Sequence, residues 1–167
     1  MPFIREARWE DVSKIEKLLT RSFGQLLRND YPASVLSIAV PLLARAQPAL
    51  VTSGRYYVAE LGGKIVGVGG WSLEAPGTNS TQRGVAHMRH VAVDPDHLRK
   101  GIGFEILLQS LAAANKYGIK RMMSLSTLTA APFYEGCGFI EVGRRETPLG
   151  VAELSFPGVE MQLDLPV

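Results

Sequence analysis

Apolar and polar residues alternate from Phe3 to Ala7, the period of a short strand. From Asp11 the period lengthens. Val12, Ile15, Leu18, Leu19 and Phe23 recur at helical spacing while Lys14, Glu16 and Lys17 face outward, so a helix is predicted there. Pro32 interrupts it, and a second helical stretch is predicted over Ala33–Ala46, kinked or broken at Pro41. Arg55–Leu61 and Lys64–Leu73 are then rich in Tyr and Val and joined by Gly62-Gly63, the pattern of a hairpin on a two-residue turn. A polar loop follows from Pro76 to Gly84, and Val85–Val93 reads as a third long strand ending at Asp94-Pro95. Helical spacing resumes at Gly101 and places Phe104, Leu107, Leu108, Leu111 and Ala114 on one face, with Gly118 as the C-terminal cap. Arg121–Ser126 is predicted as a strand, Ala130–Gly136 as a short helix, and Phe139–Arg145 and Val159–Leu165 as closing strands. The resulting order, β-α-α-β-β-β-α-β-α-β-β, predicts an α/β (α+β) fold, a mixed sheet with helices on both faces.

No repeat, low-complexity tract or linker divides the 167 residues, so one domain spanning 1–167 is expected. Hydrophobic residues at 46% and charged residues at 20% fit an ordinary soluble protein and exclude disorder, collagen-like repeats and coiled coil. Eighteen basic side chains against sixteen acidic ones leave +2, too little for a protein that coats nucleic acid. The longest apolar run, Val35–Ala44, contains Ser37 and Pro41 and reaches about half the length of a bilayer span, so no membrane partner is expected. The N-terminus is charged at once, which predicts a cytoplasmic protein. Cys137 is the single cysteine and excludes an internal disulfide; between Gly136 and Gly138, with no base beside it, it reads as a structural thiol. His87 and His90 stand three apart on a strand and would point to opposite faces, so no metal site is expected.

The most informative stretch is the junction Val91-Ala92-Val93-Asp94-Pro95-Asp96-His97-Leu98-Arg99-Lys100-Gly101-Ile102-Gly103. A strand ends, a short turn follows, and a helix begins at two glycines flanked by Arg99 and Lys100. The first turn of a helix offers unpartnered N–H groups and the positive end of a dipole, so it suits a phosphate or pyrophosphate. A dinucleotide-binding loop needs a third glycine where Ile106 stands and an acidic residue where Lys120 and Arg121 stand. A Walker loop needs Gly-Lys followed by Ser or Thr, and that triplet does not occur.

Downstream lies Ala130-Ala131-Pro132-Phe133-Tyr134-Glu135-Gly136-Cys137-Gly138-Phe139. The two segments in register resemble the GCN5-related N-acetyltransferase (GNAT) superfamily. Its cofactor loop reads Arg/Gln-x-x-Gly-x-Gly/Ala, and its later element Ala-x-x-Phe/Leu-Tyr-x-x-x-Gly-Phe. The resemblance covers nearly the whole chain and implies a mostly antiparallel central sheet. Two positions depart from the pattern: Leu98 stands where the family has Arg or Gln, and Thr127 where Asn is frequent.

The resemblance implies an acetyl-CoA-dependent N-acetyltransferase, in which a primary amine attacks the thioester directly while both substrates are bound. The alternative is a non-catalytic acyl-CoA sensor or assembly domain. The loop Arg99, Lys100, Gly101, Ile102, Gly103 and Phe104 would cradle the pyrophosphate. Val91, Ala92 and Val93 would pair with pantetheine and present an N–H to the thioester oxygen, and Thr127 would face the pantetheine. Tyr134 falls on the position of the acid that protonates the departing thiolate; the competing reading is a packing aromatic. For the base, His87 and Glu74 are candidates, alongside no single base at all, with water and backbone removing the proton. Asp30 and Tyr31 lie where the family contacts its acceptor. The closing strands imply a homodimer.

Overall fold

The computed structural model describes residues 1–151 and 153–166. The elements are β1 (Phe3–Glu6), α1 (Val12–Leu26), α2 (Ala33–Leu43), α3 (Pro48–Val51), β2 (Tyr56–Leu61), β3 (Lys64–Ser72), β4 (Val85–Val93), α4 (Ile102–Tyr117), β5 (Arg121–Thr127), α5 (Ala131–Gly136), β6 (Ile140–Pro148) and β7 (Ser155–Asp164). One sheet runs β1-β2-β3-β4-β5-β7-β6. Every neighbouring pair is antiparallel except β4 and β5, so the sheet is the mixed, mostly antiparallel one expected.

The hairpin between β2 and β3 turns on Gly62 (φ 58°) and Gly63 (φ 78°), two successive positive φ angles that glycine adopts without steric cost. Successive strand residues point to opposite faces, so Val58 and Ala59 report the two layers. Val58 joins Val68 and Ala92 in packing against Ile15, Leu18 and Leu19 of α1, whereas Ala59 joins Ile102 and Ile106 of α4. Helix α4 lies unusually close to the sheet because β3 offers it glycines. A Cβ on Gly67 would stand 2.5 Å from the Ile102 Cγ2, and one on Gly69 2.8 Å from the Ile106 Cγ2. This fixes the rotation of α4. Ile102, Ile106, Leu107, Ser110 and Ala114 are buried, while Phe104 and Leu108, expected on the core face, are exposed.

Three other expectations are corrected. Helix α2 runs unbroken through Pro41, because the carbonyl that loses its donor belongs to Ser37 and both residues sit on the solvent side. The one-turn helix α3 was not predicted; four residues are too few to show a period. The closing strands reach Pro148 and begin at Ser155, leaving a much shorter loop than the prolines implied. Pro157 fits within β7 because β5 stops at Thr127, opposite Gly158, so only β6 flanks it. None of the described helices is long and apolar enough to cross a membrane.

The end of β4 is fastened by a buried carboxylate. Asp94, 4% exposed, receives Arg21 Nη1 from α1 at 2.7 and 2.8 Å, and its Oδ1 accepts the Asp96 N–H at 2.8 Å. Lys64 lies 3.5 Å away, and the Asp94 N–H donates to the Val66 carbonyl on β3. Burial alone would push the Asp94 carboxyl up; the Asp96 N–H and the surrounding cations outweigh it and hold the group below the ordinary carboxylate range. A lowered folded-state pKa means that the ionised group stabilises the fold above the unfolded value of about 4, and that this contribution is lost as pH falls through the folded value. Asp94→Asn is therefore expected to cost about 2 kcal/mol at pH 7, and the gap to wild type should close in acid. Urea unfolding at pH 7 and pH 2 checks this; an equal gap at both pH values removes Asp94 as the fastening charge.

Candidate active site

Strands β4 and β5 pair only at Val85–Arg121, Ala86–Met122 and His87–Met123. Beyond His87 they separate. The cause lies in β4, where Arg89 to Ala92 spans three steps against the two from Gly70 to Val68 on β3. The extra residue is a bulge at His90, whose φ is 42°, and the Tyr56 hydroxyl donates to the His90 carbonyl at 3.0 Å. A bulge bends its strand and reverses the alternation after it. Met88 thus packs on the α4 side and Ala92 on the α1 side.

The separation opens a slot of about 340 Å³ through the sheet. Its walls are Val91, Ala92 and Val93 of β4, Ser124 to Thr127 of β5, Phe23 of α1, and Phe133 and Tyr134 of α5. At one mouth the slot reaches Leu98 and Gly103, where α4 begins. Arg99 (φ 60°) and Gly101 (φ 78°) both turn left-handed to start the helix, and no side chain caps it. Among the described residues, the N–H groups of Ile102, Gly103 and Phe104 have no protein partner, as an anion site requires. Arg99 and Lys100 are exposed, and neither forms an ion pair among the described residues. Leu98 and Phe104 are exposed beside this helix start, and Leu98 lines the slot mouth.

Tyr134 is buried in the slot wall, with Phe133 and Phe139 edge-on at 5.3 and 5.1 Å. Burial pushes its phenol up to about 12, the Ser124 hydroxyl acting the other way, so it carries its proton throughout the neutral range. Thr127 lines the slot, but its hydroxyl accepts the Ala130 N–H at 3.0 Å and so tethers the start of α5. Cys137 is partly buried, and burial raises its thiol, which suits the packing role read from the sequence.

The two candidate bases stand apart from these residues. His87 is at the last paired position of β4 and outside the slot lining. Burial pulls its imidazole down, Arg89 adds to this and Glu74 opposes it, so the ring is neutral at pH 7. Glu74 is exposed on the loop after β3, which ends at Ser72. The histidine in the slot lining is His90, which burial, reinforced by Arg89, pushes down to about 4. Tyr31 and Asp30 are engaged structurally. The Tyr31 hydroxyl donates to Pro157 O at 2.6 Å and accepts the Leu128 N–H at 2.8 Å, its ring stacks 4.4 Å from Phe156, and Asp30 holds the Thr129 hydroxyl at 2.7 Å.

Across the bulge from the α4 mouth lie two further cavities. One, of about 480 Å³, runs from His90 and Ser126 past Leu43 and Phe156 to Gln47. The other, of about 610 Å³, continues from Gln47 to Arg89, Arg55 and Glu74. Sequence reasoning missed Arg89 and Gln47. An arginine inside an apolar strand was the available signal, but its partners Ser72 and Gln47 lie on distant elements that the strand's own pattern does not reveal.

Comparison with known proteins agrees with the fold. Residues 52–141 match the family described as the acetyltransferase (GNAT) domain, a stretch that includes β4, the α4 mouth and Tyr134. Among solved structures, a GCN5-related N-acetyltransferase from Rhodopseudomonas palustris superposes with a TM-score of 0.81 at 20% identity, covering 99% of this chain and 96% of that one. The PaiA N-acetyltransferase from Thermoplasma acidophilum, in complex with coenzyme A, gives 0.72 at 14% identity, covering 98% and 99%. A GNAT family acetyltransferase from Brucella melitensis, in complex with acetyl-CoA, gives 0.60 at 22% identity, covering 84% and 83%. The family match takes in more than half of the residues, and the chain belongs to the acetyltransferase (GNAT) domain family.

Proposed function

We propose that the protein is an acetyl-CoA-dependent N-acetyltransferase in which a primary amine attacks the thioester directly while both substrates are bound. The observation that carries this is the slot between β4 and β5, which joins an uncapped helix N-terminus at one end to the buried Tyr134 hydroxyl in its wall. The relatives bound to coenzyme A and acetyl-CoA support the choice of co-substrate.

The free N–H groups of Ile102, Gly103 and Phe104 and the helix dipole hold the pyrophosphate, and Arg99 and Lys100 add charge-assisted contacts. Gly101 and Gly103 let the ligand approach the backbone. Strand β4 lacks a partner on its β5 side beyond His87, so Val91–Val93 pair with pantetheine as an added strand would. A backbone N–H there faces the carbonyl oxygen that gains charge as the amine attacks. The co-substrate supplies the activated acetyl group; the C–N bond forms as the C–S bond breaks. Tyr134 donates its proton toward the departing sulfur. Its raised pKa is no obstacle, since a thiolate in the same buried slot is made more basic by the same desolvation. Neutral His87 is in the right state to take the amine proton through water, whereas His90 is too weak a base near pH 7. Thr127 acts by positioning α5 and with it Tyr134.

Two expectations follow. Gly103 faces Phe133 and Val93 across the slot, with a Cβ at an ordinary 3.5 Å from Phe133, so Gly103→Leu should fold normally while its longer side chain blocks the cofactor. Calorimetry should show acetyl-CoA affinity down more than about tenfold; unchanged affinity sinks the slot assignment. Tyr134→Phe should lower kcat by about a hundredfold with acetyl-CoA affinity nearly intact, read by CoA thiol release. An unaltered kcat takes Tyr134 out of the chemistry.

A further inference from the structure

Arg89 is 8% exposed, yet among the described residues it has no carboxylate within ion-pair distance. Its Nη1 donates to the Ser72 hydroxyl at 3.0 Å and its Nη2 to Gln47 Oε1 at 3.3 Å, both neutral acceptors. A buried cation with only neutral partners is expensive, because desolvation is not offset by an opposite charge. The guanidinium accordingly lies below its usual range through burial, with Glu74 and Tyr56 acting the other way. It is not sealed off, for it lines the polar cavity of about 610 Å³ together with Gln47, Arg55 and Glu74. Arg55 also lacks an ion pair among the described residues; its guanidinium lies 5.1 Å from the ring centres of both Trp71 and Tyr117. Two arginines and one exposed glutamate leave this cavity with a net positive charge.

Position adds to charge. Arg89 immediately precedes His90, one of the residues that line both the slot and the neighbouring apolar cavity. Gln47, the partner of Arg89, lines both acceptor-side cavities. A group held by Arg89 is therefore continuous with the place where an amine must stand to reach the slot.

Resting on the acetyltransferase reading, we infer that the acceptor is an amine that also carries a carboxylate, and that Arg89 is the residue that binds this carboxylate. The planar guanidinium fork matches a carboxylate with two parallel hydrogen bonds. Gln47 and Ser72 orient it, and Arg55 at the rim raises the local anion concentration. Neutral alkylamines and polycations leave the Arg89 charge uncompensated and are disfavoured.

The test uses β-alanine, 4-aminobutanoate and 6-aminohexanoate, each beside its carboxamide and the n-alkylamine of equal length, with 2-aminoethylphosphonate as a second anion. CoA release is followed with wild type, Arg89→Met and Arg89→Lys. The best amino acid should exceed its amide in kcat/KM by about ten- to a hundredfold, as a hydrogen-bonded charge pair would give. Arg89→Met should bring that ratio toward one, and Arg89→Lys should restore part of it. A purely structural arginine would lower all amines together and leave the ratio alone. Amides turned over as well as acids, a ratio that survives Arg89→Met, or a preference for the phosphonate overturns the inference and leaves the acetyltransferase standing. If no amine releases CoA, that reading fails and a binding arm decides the site. In a Trp9→Phe background, saturable change of Trp71 fluorescence by the amino acids in wild type but not in Arg89→Met keeps it, and no change overturns it.

Discussion

The site depends on one constraint: two parallel strands in the middle of the sheet stop pairing after three residue pairs. Buried backbone N–H and C=O groups need partners, so a sheet cannot simply be torn open at its centre. Here the bulge at His90 turns β4 away, the Tyr56 hydroxyl takes up the His90 carbonyl, and the Asp94 carboxylate fastens the far end of the strand to α1 and β3. What is left is an edge of β4 in search of a strand. An extended ligand with amide groups would meet that need, which is the physical basis for proposing the gap as a binding slot.

The glycines of β3 serve the same end from the other face. They let Ile102 and Ile106 sink toward the sheet, which brings the first turn of α4 down to the slot mouth. Bulkier residues at Gly67 and Gly69 would lift the helix and move its N–H groups away from the end of β4. Core packing and the anion site are thus one arrangement.

The strands, the two long helices and the glycine junction were legible because each rests on local signals: period, turn glycines and a helix start. The rotation of α4 was not, because two leucine-like stripes fit its sequence and only the glycines on a distant strand choose between them. The same holds for Asp30 and Tyr31, whose partners Thr129, Leu128 and Pro157 lie about a hundred residues away. Tyr134 and the loop Arg99–Phe104 were singled out through the motif, and the structure brings Tyr134 and Gly103 to one slot. Arg89 was not singled out, because its neutral partners Ser72 and Gln47 and the cavity it lines come from elements 17 and 42 residues away.

Burial acts in opposite senses on the ionisable groups of the slot, with a common result. It raises the Tyr134 phenol and lowers the His90 imidazole, and both are uncharged at neutral pH. The cations stand outside, Arg99 and Lys100 at the α4 mouth and Arg89 and Arg55 in the polar cavity beyond the apolar one. On the proposed reading, uncharged surroundings between these two sets of cations favour a ligand with an anionic group at each end and uncharged reacting atoms between them. An amine enters such surroundings as the free base more readily than as the ammonium ion, since desolvation penalises the charged form. On the proposed reading, part of the work of a general base thus falls to the slot itself: among the described residues its one lining histidine, His90, is a weak base, and His87 and Glu74 stand outside it.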